Sequence, residues 1–428
     1  MKKVIVSVLS SLVALSLAGC GSGSSSASTE SKAVESPEES TVSENSDPVE
    51  ITFWHSYSEG EEKIFTDTVL KKFEEEHPEI KVNAIRMPYE GMDEQLVTAV
   101  TGDAAPDVMR MDLTWVPQMA KLGCLESLNG YDGFDELTAD IVKGSMDTTL
   151  YDGKNYGVPL NANTTVAVYN KQALQELGFD NPPETLDELI AAADQIDPSN
   201  EKYLFAVSGT YNWAMLPFIW TLGGTITDSD YTKATGYLNS EATVNAVNTI
   251  YQWYQNGIIG PAIMGEQPDA WGGLEAGNYS MIVEGPWFFS SNENADAYEP
   301  ALIPSVDGRS ISIVGGEDIV ITSTSKKKDA AWTFIQFMLQ DDQQISMSKA
   351  GMIPVTSTAM SKVDTSDSPY VEVYMKQLES AQARVPSANW PDIQTALDTA
   401  FESIFRGTAS AQDALDEAAA TIDHLLAE

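Results

Sequence analysis

Three short segments near the start of the apolar part of the chain constrain what the rest must become. Ile51-Thr52-Phe53-Trp54 is β-branched and aromatic, the composition of a strand. After the polar turn His55-Ser56-Tyr57-Ser58-Glu59-Gly60, the residues Ile64, Phe65, Thr68, Val69 and Phe73 recur at three- and four-residue steps. That spacing puts one apolar stripe along a helix, which His77-Pro78 ends. Ile80, Val82 and Ala84 then alternate with Lys81 and Asn83, the period of a strand with one buried face. A strand, a helix and a second strand in this order are the repeating unit of a parallel α/β sheet.

The unit recurs. A helix is expected around 93–100, a turn at Gly102 to Pro106, a strand from Asp107 to Met111 and a helix from about Trp115 to Lys121. Farther on, Thr185 with Glu188 three residues later forms a capping box. Ser240 opens a helix striped by Val244, Val247, Ile250 and Tyr254. A strand over Glu317 to Thr322 precedes a strongly apolar helix over Asp329 to Leu339, and helices suit Val371 to Ala383 and Ala409 to Leu426. The class is α/β. About 380 residues follow position 48, enough for two domains. In sheets of this kind ligands bind in the loops at the carboxyl ends of the strands, here Trp54 to Glu59 and Met111 to Trp115.

The first nineteen residues read differently. Lys2 and Lys3 precede an apolar run from Val4 to Leu17, too short to span a bilayer permanently, as in a secretory signal. It ends Leu17-Ala18-Gly19-Cys20, which resembles the bacterial lipobox, so Cys20 is the expected lipidation site and new amino terminus. Gly21 to Pro48 is Ser-, Thr-, Glu- and Pro-rich and too polar to bury a core, the composition of a tether. The expected location is therefore the cell membrane, anchored by lipid on its extracytoplasmic face.

Net charge is −40, two units more negative once Lys2 and Lys3 leave with the signal. Such acidity argues against nucleic acid or an anionic membrane surface as a partner. With Cys20 acylated, Cys124 has no pairing partner and reads as a small buried apolar residue. The three histidines, His55, His77 and His424, have no metal-ligand spacing, and Asp228-Ser229-Asp230 lacks the glycine and glutamate of a calcium loop. No cofactor and no metal are expected, and the chain is read as a monomer.

An ordered set of segments carries a family resemblance. Ile51-Thr52-Phe53-Trp54-His55-Ser56, Phe73 to Val82 with its His77-Pro78, and Thr101-Gly102-Asp103-Ala104-Ala105-Pro106-Asp107-Val108 come first. Gly157-Val158-Pro159-Leu160 through Val168-Tyr169-Asn170-Lys171, then Pro182 to Leu186, Gly277 to Trp287 and Ala330 to Ile335 follow in order. Together they resemble family 1 of the bacterial extracellular solute-binding proteins, the maltose-binding-protein-like group. The resemblance implies two α/β lobes with a ligand cleft between them, and delivery of a carbohydrate to the permease of an ABC importer. It also implies lobes of 49–160 plus 311–354 and of 164–304 plus 360–428. The crossings between them would lie near 160–163, 305–310 and 355–360.

A pyranose has an apolar face of C–H groups and a rim of hydroxyls, so its site needs flat aromatics beside planar polar groups. Trp287, after Gly285-Pro286, matches a family tryptophan that stacks on sugar; otherwise it is core. Tyr211, Trp213 and Trp390 are further aromatic candidates, each equally readable as buried mass. Asp112 is either a hydroxyl acceptor or a helix cap. Ser56 and Tyr57 fall on the first ligand loop. Asn163 stands at a crossing, where the maltose-binding relatives carry a carboxylate. Glu284 and Glu317 engage hydroxyls or bridge the lobes, and Gly316 allows close backbone approach or simply turns the chain. Two other readings stay open: a glycoside-processing enzyme, and the same fold holding glycerol phosphate, a peptide or another small solute. Against a phosphorylated ligand, the arginines Arg86, Arg110, Arg309, Arg384 and Arg406 are dispersed in sequence.

Overall fold

The computed structural model describes residues 47–427 apart from Val142 and Asp367, and of Lys143 and Gly144 the backbone alone. The signal segment, Cys20 and the tether lie outside the described residues.

Strands β1 (Val49–His55), β2 (Ile80–Arg86) and β3 (Val108–Asp112) run parallel, with β1 in the middle. A helical run over 59–76 connects the first two, opened by a capping box in which Ser58 and Glu61 satisfy each other's backbone N–H groups. That cap also fixes the loop carrying Ser56 and Tyr57. β4 (Val158–Asn163) closes the edge of this first sheet. A second sheet holds β5 (Val166–Asn170), β6 (Tyr203–Ala206), β7 (Tyr279–Glu284) and β8 (Tyr298–Ala301), in the order β8-β5-β7-β6. The chain then returns to the first sheet as β9 (Gly315–Ile321), inserted antiparallel between β3 and β4.

Each sheet builds its own core, which makes two lobes. In the first, alternation sends Ile51, Phe53, Val108, Ile319 and Ile321 to one face, against Phe73 and the helix Lys328–Met338 with its Phe334. Met109, Met111 and Val320 point to the other, with Leu96, Val116 and Cys124. Cys124 is a buried free thiol. Because helices cover both faces, β3 is buried at every residue, as parallel strands usually are. In the second lobe the long helices Trp390–Phe405 and Ala411–Leu426 pack on each other and on the apolar helix Asn212–Thr221.

The lobes join where chain passes between the sheets. The first passage is Thr164 and Thr165, between β4 and β5. The second is 311–314, and the two are laced together: Thr164 Oγ1 reaches Ser312 Oγ at 2.9 Å and Ile313 O at 2.7 Å, while Ser312 Oγ donates to Thr165 O at 2.7 Å. Ser305 to Ser310, where the second crossing was expected, instead turns back at Val306–Arg309 and bonds to Glu184 in the second lobe. A further difference lies at the expected helix Val371 to Ala383. It stops at Leu378. Gln382 is drawn into pairing with the passage strand, its N–H on Ser312 O and its carbonyl accepting from Val314 N, both at 2.8 Å. Those bonds outweigh the helical pattern.

Candidate functional site

The carboxyl ends of the first sheet bring polar side chains to one face. Register sets Glu317 directly opposite Asp112 on one side and Asn161 on the other, with Gly315 opposite Asn163. Residues opposite one another in an antiparallel pair share a face. Arg110, two residues before Asp112, joins them and pairs with Glu317 at 2.7 Å. Its guanidinium also donates to Ser56 Oγ at 3.3 Å and stacks over Tyr57, 4.6 Å from the ring centre. Asn161 donates to Glu317 at 2.7 Å. Burial pushes the Glu317 carboxyl up to about 7 against the pull of Arg110, and the nearby Glu61 adds to the rise. Burial likewise lowers His55, behind Tyr57, to about 3, so its ring is neutral.

Asp112 is not a helix cap in the ordinary sense. It accepts from Thr114 N and Oγ1 at 2.8 and 2.6 Å, from Tyr89 Oη at 2.9 Å, and from Arg384 at 3.1 and 3.3 Å. Burial would raise its carboxyl, but Arg384 and these donors hold it below the usual carboxylate range.

This wall leaves hydrogen-bonding capacity unused. Tyr57 Oη, Arg110 Nε, Arg384 Nε, Asn161 Oδ1 and Asn163 Oδ1 are buried with no protein partner. Orphaned buried donors and acceptors are individually costly, so these five atoms have hydrogen-bonding capacity left for an added polar group.

The facing wall is aromatic. Trp213 and Trp287, both half-buried, lie 6.3 Å apart between ring centres at 31°. Trp213 belongs to the first turn of Asn212–Thr221, whose opening N–H is held by Asp398 at 2.6 Å. Its ring lies so close to Gly315 that a Cβ there has no room, which brings the indole to the end of β9. Trp287 folds back over Gly285, again leaving no space for a side chain. Tyr211, on the residue before the helix, is 41% exposed.

Three expected contacts take other roles. Trp390 is 1% exposed, packs within the second-lobe core and donates its indole N–H to Gln394 at 3.2 Å. It offers no surface to a ligand, because the helix it opens turns that face inward. Glu284 spends both oxygens internally: one accepts from Trp287 Nε1 at 2.9 Å and Gly285 N at 2.8 Å, the other from Trp271 Nε1 at 2.7 Å. It holds the indoles of Trp271 and Trp287 in place. Gly316 has φ of +148°, and a side chain there would strike the Asn161 carbonyl, so strand packing accounts for this glycine.

A cavity of about 880 Å³ adjoins the polar wall, lined by Thr114, Asn161 and Asp318 of the first lobe and by Arg384, Val385 and Leu426 of the second. Its lining is mostly apolar. Asn161 and Arg384, which carry orphaned atoms, line it, so the cavity is continuous with the polar face and the two form one candidate site.

Comparison with known proteins places this architecture. Residues 68–372 match the family described as bacterial extracellular solute-binding protein. The chain belongs to that family. A galactooligosaccharide-binding protein of Bacillus subtilis is 25% identical to it, over 98% of this chain and 96% of its own length. A solved structure, the cyclic alpha-maltosyl-1,6-maltose binding protein of Arthrobacter globiformis, is 29% identical with a TM-score of 0.71, covering 89% of this chain and 99% of that one. The GacH receptor of Streptomyces glaucescens, 23% identical, shares the fold at a TM-score of 0.80 over 89% of this chain and 99% of its own.

Within this solute-binding protein, sequence reading overlooked Arg110, Arg384, Asn161 and Tyr89. The alternation in Arg110-Met111-Asp112 was a usable signal, since a charged residue two before Asp112 must share its face. Nothing local announces Arg384. Two of the five dispersed arginines, Arg110 and Arg384, meet here, and each is paired with a carboxylate.

Proposed function

We propose that this protein captures an uncharged carbohydrate, an oligosaccharide in particular, between its lobes and delivers it to an ABC importer. The observation that carries the reading is the juxtaposition of five orphaned buried polar atoms with the Trp213–Trp287 pair. Donors and acceptors are both among the five, which suits hydroxyls, since each hydroxyl gives and takes. The indoles supply flat apolar surface for ring C–H groups. Both cleft arginines are already paired, so an added ligand charge would find no partner. The galactooligosaccharide-binding and the cyclic alpha-maltosyl-1,6-maltose binding relatives are in keeping with this.

The site comprises Ser56, Tyr57, Arg110, Asp112, Asn161, Asn163, Glu317 and Arg384 on the polar side, with Tyr211, Trp213 and Trp287 opposite. Glu284 acts on the site through Trp287. Asp112 and Glu317 serve as hydrogen-bonding groups held by arginines; a glycosidase needs a carboxyl free to protonate the leaving oxygen. The lobes meet at Thr164–Thr165 and 311–314, about which closure occurs, and Cys20 holds the protein on the membrane by lipid.

Calorimetric titration tests this. Maltotriose, a galacto-oligosaccharide, a cyclic maltosyl-maltose, glycerol 3-phosphate and a tripeptide form the panel. One neutral saccharide should bind with Kd near the micromolar range, about −8 kcal/mol. Tighter binding of the phosphate or the peptide overturns the proposal, and so does release of shortened sugar on prolonged incubation.

A further inference from the structure

Two ion pairs line the cleft, and they differ in one respect. Arg110 and Glu317 sit on neighbouring strands β3 and β9 of one sheet, 2.7 Å apart, so their pairing survives any movement of the lobes. Asp112 also belongs to β3, but its partner Arg384 comes from the second-lobe segment between the helices Tyr370–Leu378 and Trp390–Phe405. Asp112 keeps its place without Arg384, because Thr114 and Tyr89 from its own lobe bond to the same carboxylate. Arg384 is placed equally independently: Gln382 is pinned to Ser312 and Val314, and the guanidinium lies over Trp213, 5.4 Å from its ring centre. Two prefixed groups therefore meet across the cleft at 3.1 Å, with side chains only 5% and 10% exposed. Nearby, Lys121 donates to Asn389 at 3.0 Å, and Gly60 packs against the Ser290 backbone, so the lobes touch on either side of this pair.

We propose that Arg384 is a positioning residue that latches the second lobe onto the first through Asp112 and stabilises the closed cleft whether or not sugar is present. The inference rests on the assignment of this cleft as the binding site. Its geometry has a consequence. Arg384 is tied at once to the aromatic wall and to the polar wall, so closing the latch also sets the spacing between Trp213 and the hydroxyl-binding carboxylates. An open cleft hydrates both charges, and strong salt weakens their attraction as they approach, whereas the Arg110–Glu317 pair inside one lobe is indifferent to opening.

The test measures lobe separation directly. The full-length chain with Cys20→Ser receives spin labels at Glu59→Cys and Glu293→Cys, exposed positions on the two lobes, and distance distributions are recorded by pulsed electron resonance. Without sugar, Arg384→Met should cut the ratio of closed to open population by about fivefold, the lower range of such coupling. Asp112→Asn should act alike, and the double variant should add little to either single change. Arg384→Lys should restore part of the closed population, less than wild type because the planar fork is lost. In 1 M NaCl the wild-type population should approach that of Arg384→Met. Additive effects, a salt-insensitive distribution, or a wild-type protein with no closed population without sugar each overturn the latch. A parallel titration with maltotriose and a galacto-oligosaccharide keeps the two proposals apart. If neither sugar binds but the populations respond as stated, the carbohydrate reading fails while the latch stands.

Discussion

The two walls of the cleft are made by different means. The polar wall rises from the ends of β3, β4 and β9, where strand register alone places Arg110, Asp112, Asn161 and Glu317 opposite one another. The aromatic wall stands on loops and first helical turns, with Trp213 steadied by Asp398 through the helix start and Trp287 steadied by Glu284 through its indole N–H. Hydrogen bonds demand direction, and a sheet fixes direction rigidly; a stacked ring tolerates sliding, so a helix end is support enough. The polar wall should therefore be bound up with the stability of its lobe, and the aromatic wall with affinity.

The largest expected effect breaks the polar wall. Glu317→Ala leaves Arg110 buried and unpaired, which should cost about 3–5 kcal/mol and lower the thermal midpoint by roughly 10 °C. Calorimetric melting of the protein without sugar checks this. Equal loss on Trp213→Ala would erase the contrast between the walls.

Next in size is Trp287→Ala. Losing the stack removes about 0.5–1.5 kcal/mol beyond the buried area, so affinity for the identified sugar should fall at least tenfold, with the melting point moving little. Titration of a variant shown to be folded decides it. Unchanged affinity would return this tryptophan to the role of core.

Glu284→Gln is a finer probe. A carboxylate accepts from Trp271 and Trp287 together, whereas an amide turns one donor toward an indole N–H. Affinity should drop severalfold and the tryptophan emission should shift, although the side chain touches no ligand. A variant with wild-type emission would remove the claim that Glu284 aims Trp287.

The smallest effect is a pH slope. Glu317 ionises near 7 in the folded protein, above the usual glutamate value of 4.5, so between those limits the folded state holds the extra proton. Its contribution to stability is then present below about pH 4.5 and fades as pH rises through 7. His55 runs oppositely: lowered to about 3 by burial, it stabilises above its ordinary 6.5 and that contribution is lost on acidification toward 3. In Glu317→Gln the decline toward neutral pH should flatten, read as denaturant midpoints at pH 5 and pH 8.

Much of the molecule was legible. The strand over Ile51 to Trp54, the helix behind it, the Thr185 capping box and the burial of Cys124 follow from spacing and residue type. Asp112, just past a strand, and Glu317, after Gly315-Gly316, are legible as candidate polar residues; that each is held by an arginine is not. Trp390 was misjudged because an indole beside a proline looks the same in sequence whether its helix turns it outward or into the core. Arg384 was missed because the pattern of Val371 to Ala383 favours a helix. Only the bonds of Gln382 to a distant strand pull the segment straight.

What the sequence determined by itself was the alternation of strand and helix, and hence the class and the buried faces; these are local properties, carried by periods of 2 and 3.6 residues. The tertiary structure decided which charges meet. Arg110 with Glu317 and Arg384 with Asp112 are each far apart along the chain, and their pairing depends on β9 slipping between β3 and β4 and on a second-lobe segment after Leu378 presenting Arg384 to the first lobe. Ion pairs act over a few ångströms of space, and a chain's order says nothing of such distances until its sheets have closed.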